Sequence, residues 1–531
     1  MSSRTLGASR PPSLAAVTGG LRALGQRLQP WLVPLLVFGL WCLASRQQWM
    51  SEQILPPPSL VWQSVLELAT GELWGNLAIS LQRLALGLAA GIALGALLGG
   101  ALGFNRLAER LVLPTFSALA QIPTLAWIPL FMVFFGIGEW LKLVVLLKAV
   151  IVPVTLHTLV GVRDAQPKLR EAAAVLRLPR WVLLRRLVLP AALPSFMAGV
   201  RLALSTGWSS LLAVELLASS EGIGYLMVWA RQLFMLDIVF VCIVVIGLIG
   251  VCMDRGIGVL ERRWVFWPHP PAAQLHLGRA RAGWQQLQPW LLPLALVVLW
   301  QLSASQGWVD ARVLASPVAV LHSSIAGIAS GDLPMALGLS LSRAMGGFVV
   351  GSAAGVLAGL LLGLSRCAER TWGASLGALR QIAIFAWVPL LTAWFGLGEP
   401  AKWVFVAMAA FFPLLIATWR GVAALSTQLD ETARVLRLGP LQRLRKLVLP
   451  GAAPAIFGGL RLGLIHAWLG TIGAEYFMPS NGGIGSLMIG AQQLMQTDLI
   501  ISCMLLVGCT GALLNALGQF TEKRATRWRH A

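Results

Sequence analysis

Ala126-Trp-Ile-Pro-Leu-Phe-Met-Val-Phe-Phe-Gly-Ile-Gly-Glu139 recurs as Ala386-Trp-Val-Pro-Leu-Leu-Thr-Ala-Trp-Phe-Gly-Leu-Gly-Glu399, at an offset of 260 residues. The match extends in both directions. Upstream, Gln29-Pro-Trp-Leu32 returns as Gln288-Pro-Trp-Leu291, Ser80-Leu-x-Arg83 as Ser340-Leu-x-Arg343, and Arg106-x-Ala-Glu-Arg110 as Arg366-x-Ala-Glu-Arg370. Downstream, Val175-Leu-Arg-Leu178 returns as Val435-Leu-Arg-Leu438, and Leu187-Val-Leu-Pro190 as Leu447-Val-Leu-Pro450. An offset this steady makes the chain a tandem of two copies of one unit.

Composition says what kind of unit it is. Of the 531 residues, 57% are hydrophobic and 12% charged. A soluble domain carries roughly 25% charged residues. With mean hydropathy +0.76, a soluble enzyme and a disordered chain are both excluded. Many apolar runs are long enough for a bilayer core of about 30 Å, so the chain reads as a polytopic membrane protein. The net charge of +20 would suggest nucleic acid in a soluble chain. Here the basic residues sit in short segments between apolar runs, where they set orientation. Six cysteines, mostly inside apolar runs and without C-x-x-C spacing, point to neither a metal site nor disulfides.

Each unit divides into about six helices, in the first copy at 29–45, 77–104, 112–135, 140–161, 191–217 and 237–259. Residues 29–44 are expected to be an uncleaved first span. Basic clusters fall before the first helix, at Arg106 and Arg110, from Arg163 to Arg186, and at Arg262 and Arg263, while the alternate loops hold little beyond Arg46, Lys142 and Arg231. Both termini are therefore expected in the cytoplasm. An even number of spans per unit inserts both copies the same way up, as parallel repeats. The expected divisions are a tail at 1–28, a first unit at 29–262, a linker at 263–287, a second unit at 288–520 and a tail at 521–531. Gly87, Gly91, Gly95, Gly99 and Gly103 recur every fourth residue, as do Gly347, Gly351, Gly355, Gly359 and Gly363. That stripe lets a neighbouring helix approach closely.

The longest basic loop is patterned and occurs twice. Arg170-Glu171-Ala172-Ala173 leads through Arg177 and Pro179 to Leu189-Pro190, and Asp430-Glu431-Thr432-Ala433 leads through Arg437 and Gly439 to Leu449-Pro450. It reads as a short helix, a turn and a second helix, which Pro190 and Pro450 stop before the next span. This pattern resembles the coupling motif of binding-protein-dependent ATP-binding-cassette importer permeases. The segments Ala126–Leu130, Phe135–Glu139, Gly199-x-Arg201-Leu-Ala-Leu204, Glu215 and Gly222-Ile-Gly224 resemble the nitrate, sulfonate, taurine and bicarbonate branch, and the likeness covers both halves.

The resemblance implies an all-α type I importer permease fold. It implies two ATPase subunits docked on coupling loops that contain Glu171, Ala172, Ala173, Arg177 and Pro179 in one copy and Glu431, Ala433, Arg437 and Gly439 in the other. It also implies an extracytoplasmic binding protein that delivers a small anion or zwitterion, an inner-membrane location, and one chain acting as a fused pseudo-dimer. No nucleic-acid partner is expected. The chain departs from the family in having Arg177 and Arg437 where a glycine is usual, with the turn then expected at Pro179 and at Gly439-Pro440.

No G-x-x-x-x-G-K-[ST] loop occurs in the sequence, so ATP and Mg belong on partner subunits and no cofactor or catalytic residue is expected on this chain. For the pathway, the Ala-Trp-x-Pro segments offer Trp127, Pro129, Trp387 and Pro389, because proline breaks helix bonding and broken helices line substrate paths. Glu215 and Glu475, acids near span ends, are gate candidates; Arg83 and Arg343 read as structural. The rival reading is a twelve-span ion-coupled secondary transporter, which would also show two parallel repeats.

Overall fold

The computed structural model describes residues 14–163, 175–177, 179–267, 287–310, 313–425, 431, 433, 435–479 and 482–527, with 14–27 and 180 as backbone alone. Among these residues the structure is helical, without a strand. Among the described residues nine helices are long and apolar enough to cross a membrane, or 11 if each of two bent pairs counts as one span. Gln288–Ser305, of 18 residues, stands in the second copy where Leu28–Arg46 stands in the first. The chain is an all-α polytopic membrane protein with nine or more apolar spans, built from two repeats.

The glycine stripes explain the tightest packing in each half. Glu72–Phe104 lies against Glu139–Arg163 so closely that a Cβ on Gly99 would come within 2.5 Å of the Thr155 carbonyl. In the second half Asp332–Leu364 meets Glu399–Ala423 in the same way, Gly355 facing the Phe411 carbonyl. Contact at backbone distance gives van der Waals and Cα–H attraction that a larger residue would forfeit.

Several expectations are corrected. The third helix, expected as one piece over 112–135, is two: Arg106–Gln121 and Leu125–Phe135 meet at 89°. Its copy, Arg366–Leu379 with Ile384–Phe395, also bends by 89°. Pro123 sits in the first elbow, but Ala383 holds its place in the second, so that proline is not the cause of the bend. Pro129 and Pro389 do not break a helix either. Each lies in the first turn of the outgoing piece, where its missing N–H has no partner to lose.

Pro190 and Pro450 do not stop the loop helix. Trp181–Ala218 is a single span of 38 residues that passes through a π turn at Leu184–Val188, repeated at Leu444–Val448. The wider turn moves the upstream carbonyls out of the proline ring's way. The last helix, Thr497–Ala525, also runs past residue 520, into the segment expected as a tail. Short helices at Pro58–Thr70 and Ile223–Gln232, with copies Pro317–Ala329 and Ile484–Gln493, were absent from the six-helix reading.

The elbows join the halves. Ile122 packs on Gly508 of Thr497–Ala525, and Gln381 and Ile382 pack on Gly250 and Gly247 of Leu236–Trp264. Leu125 reaches Gly473. One apolar core runs continuously through both halves across this seam.

Candidate functional site

Glu171, Ala172, Ala173 and Thr432 lie outside the described residues. The loops are visible from their far ends. Glu431 is exposed and Ala433 buried. Beyond them Val435 and Leu436 stand out into solvent, Val435 with 82% of its surface exposed. The first copy does the same at Val175, 81% exposed, and Leu176. In both copies the exposed apolar pair lies between basic flanks.

The turn that follows corrects the expectation for it. Arg177 and Arg437 themselves take left-handed backbone, φ 48 in both. The Leu438 N–H donates to the Ala433 carbonyl at 3.0 Å, the six-to-one bond of a Schellman turn with Arg437 at the position where glycine is usual. Pro179 and Gly439 are not the turn. Gly439 has ordinary extended backbone, φ -64. Each residue instead opens the next helix, the Pro179 carbonyl accepting from Leu183 at 3.0 Å and the Gly439 carbonyl from Arg443 at 2.8 Å.

Glu215 and Glu475, the gate candidates, are buried in ion knots, each within one half. Arg83 forks onto Glu139, Nε donating at 2.8 Å and Nη2 at 2.5 Å, while its Nη1 donates to Glu215 at 2.9 Å and to the Glu221 carbonyl at 2.9 Å. Ser80 donates to Glu215 at 2.9 Å, and the Gly224 N–H donates to it at 3.1 Å. Lys142 adds a bond to Glu139 at 2.7 Å. The second half repeats the arrangement: Arg343 to Glu399 at 2.8 and 2.6 Å, Arg343 to Glu475 at 2.7 Å, Ser340 to Glu475 at 2.7 Å, and the Gly485 N–H to Glu475 at 2.8 Å. Gly222 sits at φ 107, where a Cβ would strike the Glu215 carboxylate at 2.5 Å. The knot ties two long spans, a third span's end and a short helix together. A buried carboxylate this fully bonded braces the half, which matches the structural reading of Arg83 and Arg343.

The Ala-Trp-x-Pro residues lie at the seam. Pro129 and Pro389 are buried, Trp127 and Trp387 half-buried. Trp127 packs on Phe131 with ring centroids 5.5 Å apart, and its indole N–H is buried without an acceptor. The Lys148 ammonium lies 5.6 Å from the centre of the Trp127 ring. It donates to the Ile122 carbonyl at 2.7 Å and the Thr124 hydroxyl at 3.4 Å. Sequence reading missed Lys148. The available signal was a single cation inside the apolar run Val144–Val152, with Met408 at the repeat position. Arg201 is spoken for by Asp254 at 2.7 Å.

Residues 91–266 and 351–527 each match the binding-protein-dependent transport system inner membrane component family. The aliphatic sulfonates transport permease protein named SsuC in Escherichia coli is 37% identical over 246 residues, 46% of this chain and 93% of its own length. The taurine transport system permease protein TauC of Escherichia coli is 33% identical over 43% of this chain and 85% of its own. The bicarbonate transport system permease protein CmpB of Synechococcus elongatus is 32% identical over 44% and 87%. Each relative is about the length of one repeat. The geometry and these matches agree: the chain belongs to the binding-protein-dependent transport system inner membrane component family and carries the family's domain twice.

Proposed function

We propose that the chain forms the whole membrane pathway of an ATP-driven importer for a small anion or zwitterion of the sulfonate, taurine, nitrate or bicarbonate class. Its two halves act as a fused pseudo-dimer, one chain per complex. Two ATPase subunits, which hold ATP and Mg, grip the loops at Glu171–Pro179 and Glu431–Gly439. An extracytoplasmic binding protein delivers the substrate on the opposite face. Both termini lie in the cytoplasm, and the units divide at the linker 263–287. Closure of the ATPase pair rocks the halves about the seam and exchanges outward for inward access.

The observation that carries this reading is the twice-repeated exposed apolar pair, Val175-Leu176 and Val435-Leu436, ahead of a left-handed arginine. Apolar side chains held in water by a fixed turn have a reason only if a partner covers them. The test is co-purification from the native membrane. Tagged chain brings down ATPase subunits, and Glu171→Ala with Glu431→Ala releases them or abolishes uptake. Uptake that survives ATP depletion and collapses with the ion gradient would instead establish an ion-coupled transporter.

A further inference from the structure

Lys148 lies near the middle of the 25-residue helix Glu139–Arg163, roughly 14 Å along the axis from Glu139 at the usual rise per residue. Among the described residues no carboxylate pairs with it; its ammonium has a carbonyl, a hydroxyl at long range and an aromatic face. Of the other cations in or beside the spans, Arg83 and Lys142 pair with Glu139 and Arg201 with Asp254, whereas Arg231 meets the Thr392 hydroxyl at 3.3 Å. A cation without a counter-ion inside a span is costly, and such residues mark transport paths. Beside it the Trp127 N–H is a buried donor with no acceptor. Buried donors left unpaired are rare enough to need a cause.

The lysine is not there to hold the elbow. The second elbow bends by the same 89° with Met408 in place of Lys148 and Ile384 in place of Thr124. Its partners Ile122, Thr124 and Trp127 belong to its own half, and Ile122 also packs on Gly508 of the other half, which sets the lysine beside the seam. What remains is a pair of donors beside the seam, of which the charged one is present in one copy only, while Trp387 repeats the indole. A permease assembled from two identical subunits would carry the cation twice. A fused chain carries it once, so a single negative charge is matched without a second lysine to repel the first.

We propose that Lys148 Nζ and the Trp127 indole N–H form an anion subsite on the seam, which holds the oxyanion headgroup of the transported molecule partway across the membrane. This rests on the transport reading above. When a monoanion arrives, the ammonium exchanges the Ile122 carbonyl for a charged acceptor, and the indole N–H gains the partner it lacks. A charge-assisted bond of this kind is about twice as strong as a neutral one, and the anion also offsets the desolvated cation.

The experiment uses the full chain with its ATPase subunits and binding protein in proteoliposomes, with ATP supplied and radiolabelled ethanesulfonate, taurine and bicarbonate each offered in turn. For the anion that wild type takes up, Lys148→Met is expected to lower uptake by about tenfold or more, as loss of a charged hydrogen bond implies. Lys148→Met combined with Met408→Lys returns the cation to the seam from the other half and should restore most of the uptake. Unchanged uptake in Lys148→Met overturns the proposal. So does an assembled double variant that does not transport, or failure of both variants to assemble, which would make Lys148 a folding residue. Wild-type proteoliposomes that take up none of these three solutes, nor labelled nitrate, would instead sink the reading of substrate class beneath it, a separate and visible result.

Discussion

The two ion knots match nearly bond for bond, whereas the two faces of the seam do not. Arg83 meets Glu139 and Glu215 at 2.5 and 2.9 Å; Arg343 meets Glu399 and Glu475 at 2.6 and 2.7 Å. At the seam Lys148 is replaced by Met408, Thr124 by Ile384 and Arg231 by Gln492. The difference separates what each half needs to fold from what the pair does together. A buried arginine between two carboxylates tolerates no drift, because losing any member strands a charge. A residue at the seam touches its opposite number's surroundings, so one half is free to change if the joint surface still works.

The knots supply the largest expected effect. Arg343→Met leaves Glu475 buried and unpaired, at a cost of about 3–5 kcal/mol, and Arg83→Met should cost the same within about 1 kcal/mol. Thermal unfolding of the purified chain in detergent checks both. Knots that differ by several kcal/mol would break the equivalence of the halves. Next is the glycine face that receives each elbow. A Cβ on Gly250 would come within 2.5 Å of the Gln381 carbonyl, while on Gly511 the nearest atom is a side-chain atom of Trp468 at 3.4 Å. Gly250→Ala should therefore destabilise by about 1–3 kcal/mol, the range for overpacking. Gly511→Ala should be close to neutral. Equal effects would mean that the seam is more symmetric than its packing.

Parts of this were legible in the sequence for definite reasons. The glycine stripe has a period of four because a helix presents every fourth residue to one neighbour, so Gly87–Gly103 announced a close partner. The tandem was visible because both copies kept their motifs. The knot was only half visible. Arg83, Glu139 and Glu215 all lie in repeated or family-like segments, but Glu215 is 132 residues from Arg83, and no local spacing pairs groups that far apart. From sequence alone Glu215 is therefore only an acid near a span end. The elbow was hidden because Ala383 holds the place of Pro123, leaving no shared breaker to read. Gly247 and Gly508 sit in apolar runs where nothing distinguishes a contact across the seam from one within a half.

The coupling loops sharpen the comparison from the outside. If both halves grip an ATPase, Glu171→Ala and Glu431→Ala should each lower uptake by about tenfold, a change of about 1.4 kcal/mol in the coupled step. Full activity in Glu431→Ala alone would make the second loop vestigial and the halves unequal where they project from the membrane.

The smallest effect lies in the turns of those same loops, and it is the one that isolates backbone from side chain. Arg177 and Arg437 share φ 48, a region in which a side chain costs roughly 1–2 kcal/mol. Glycine removes that strain but gives the unfolded chain more freedom, an opposing term of about 0.4–1 kcal/mol. Arg437→Gly should therefore raise stability by no more than about 1.6 kcal/mol, read as a small rise in the unfolding midpoint, and Arg177→Gly should match it. Arg437→Val should lower the midpoint, because a β-branched residue fits left-handed backbone worst. If the glycine variants keep their stability yet lose ATPase binding, the guanidinium is an element of the docking surface. If they bind as before, arginine is tolerated only because Val435-Leu436 ahead of it fixes the shape of the finger. The two loops, alike in fold but different after the turn at Pro179 and Gly439, would answer separately.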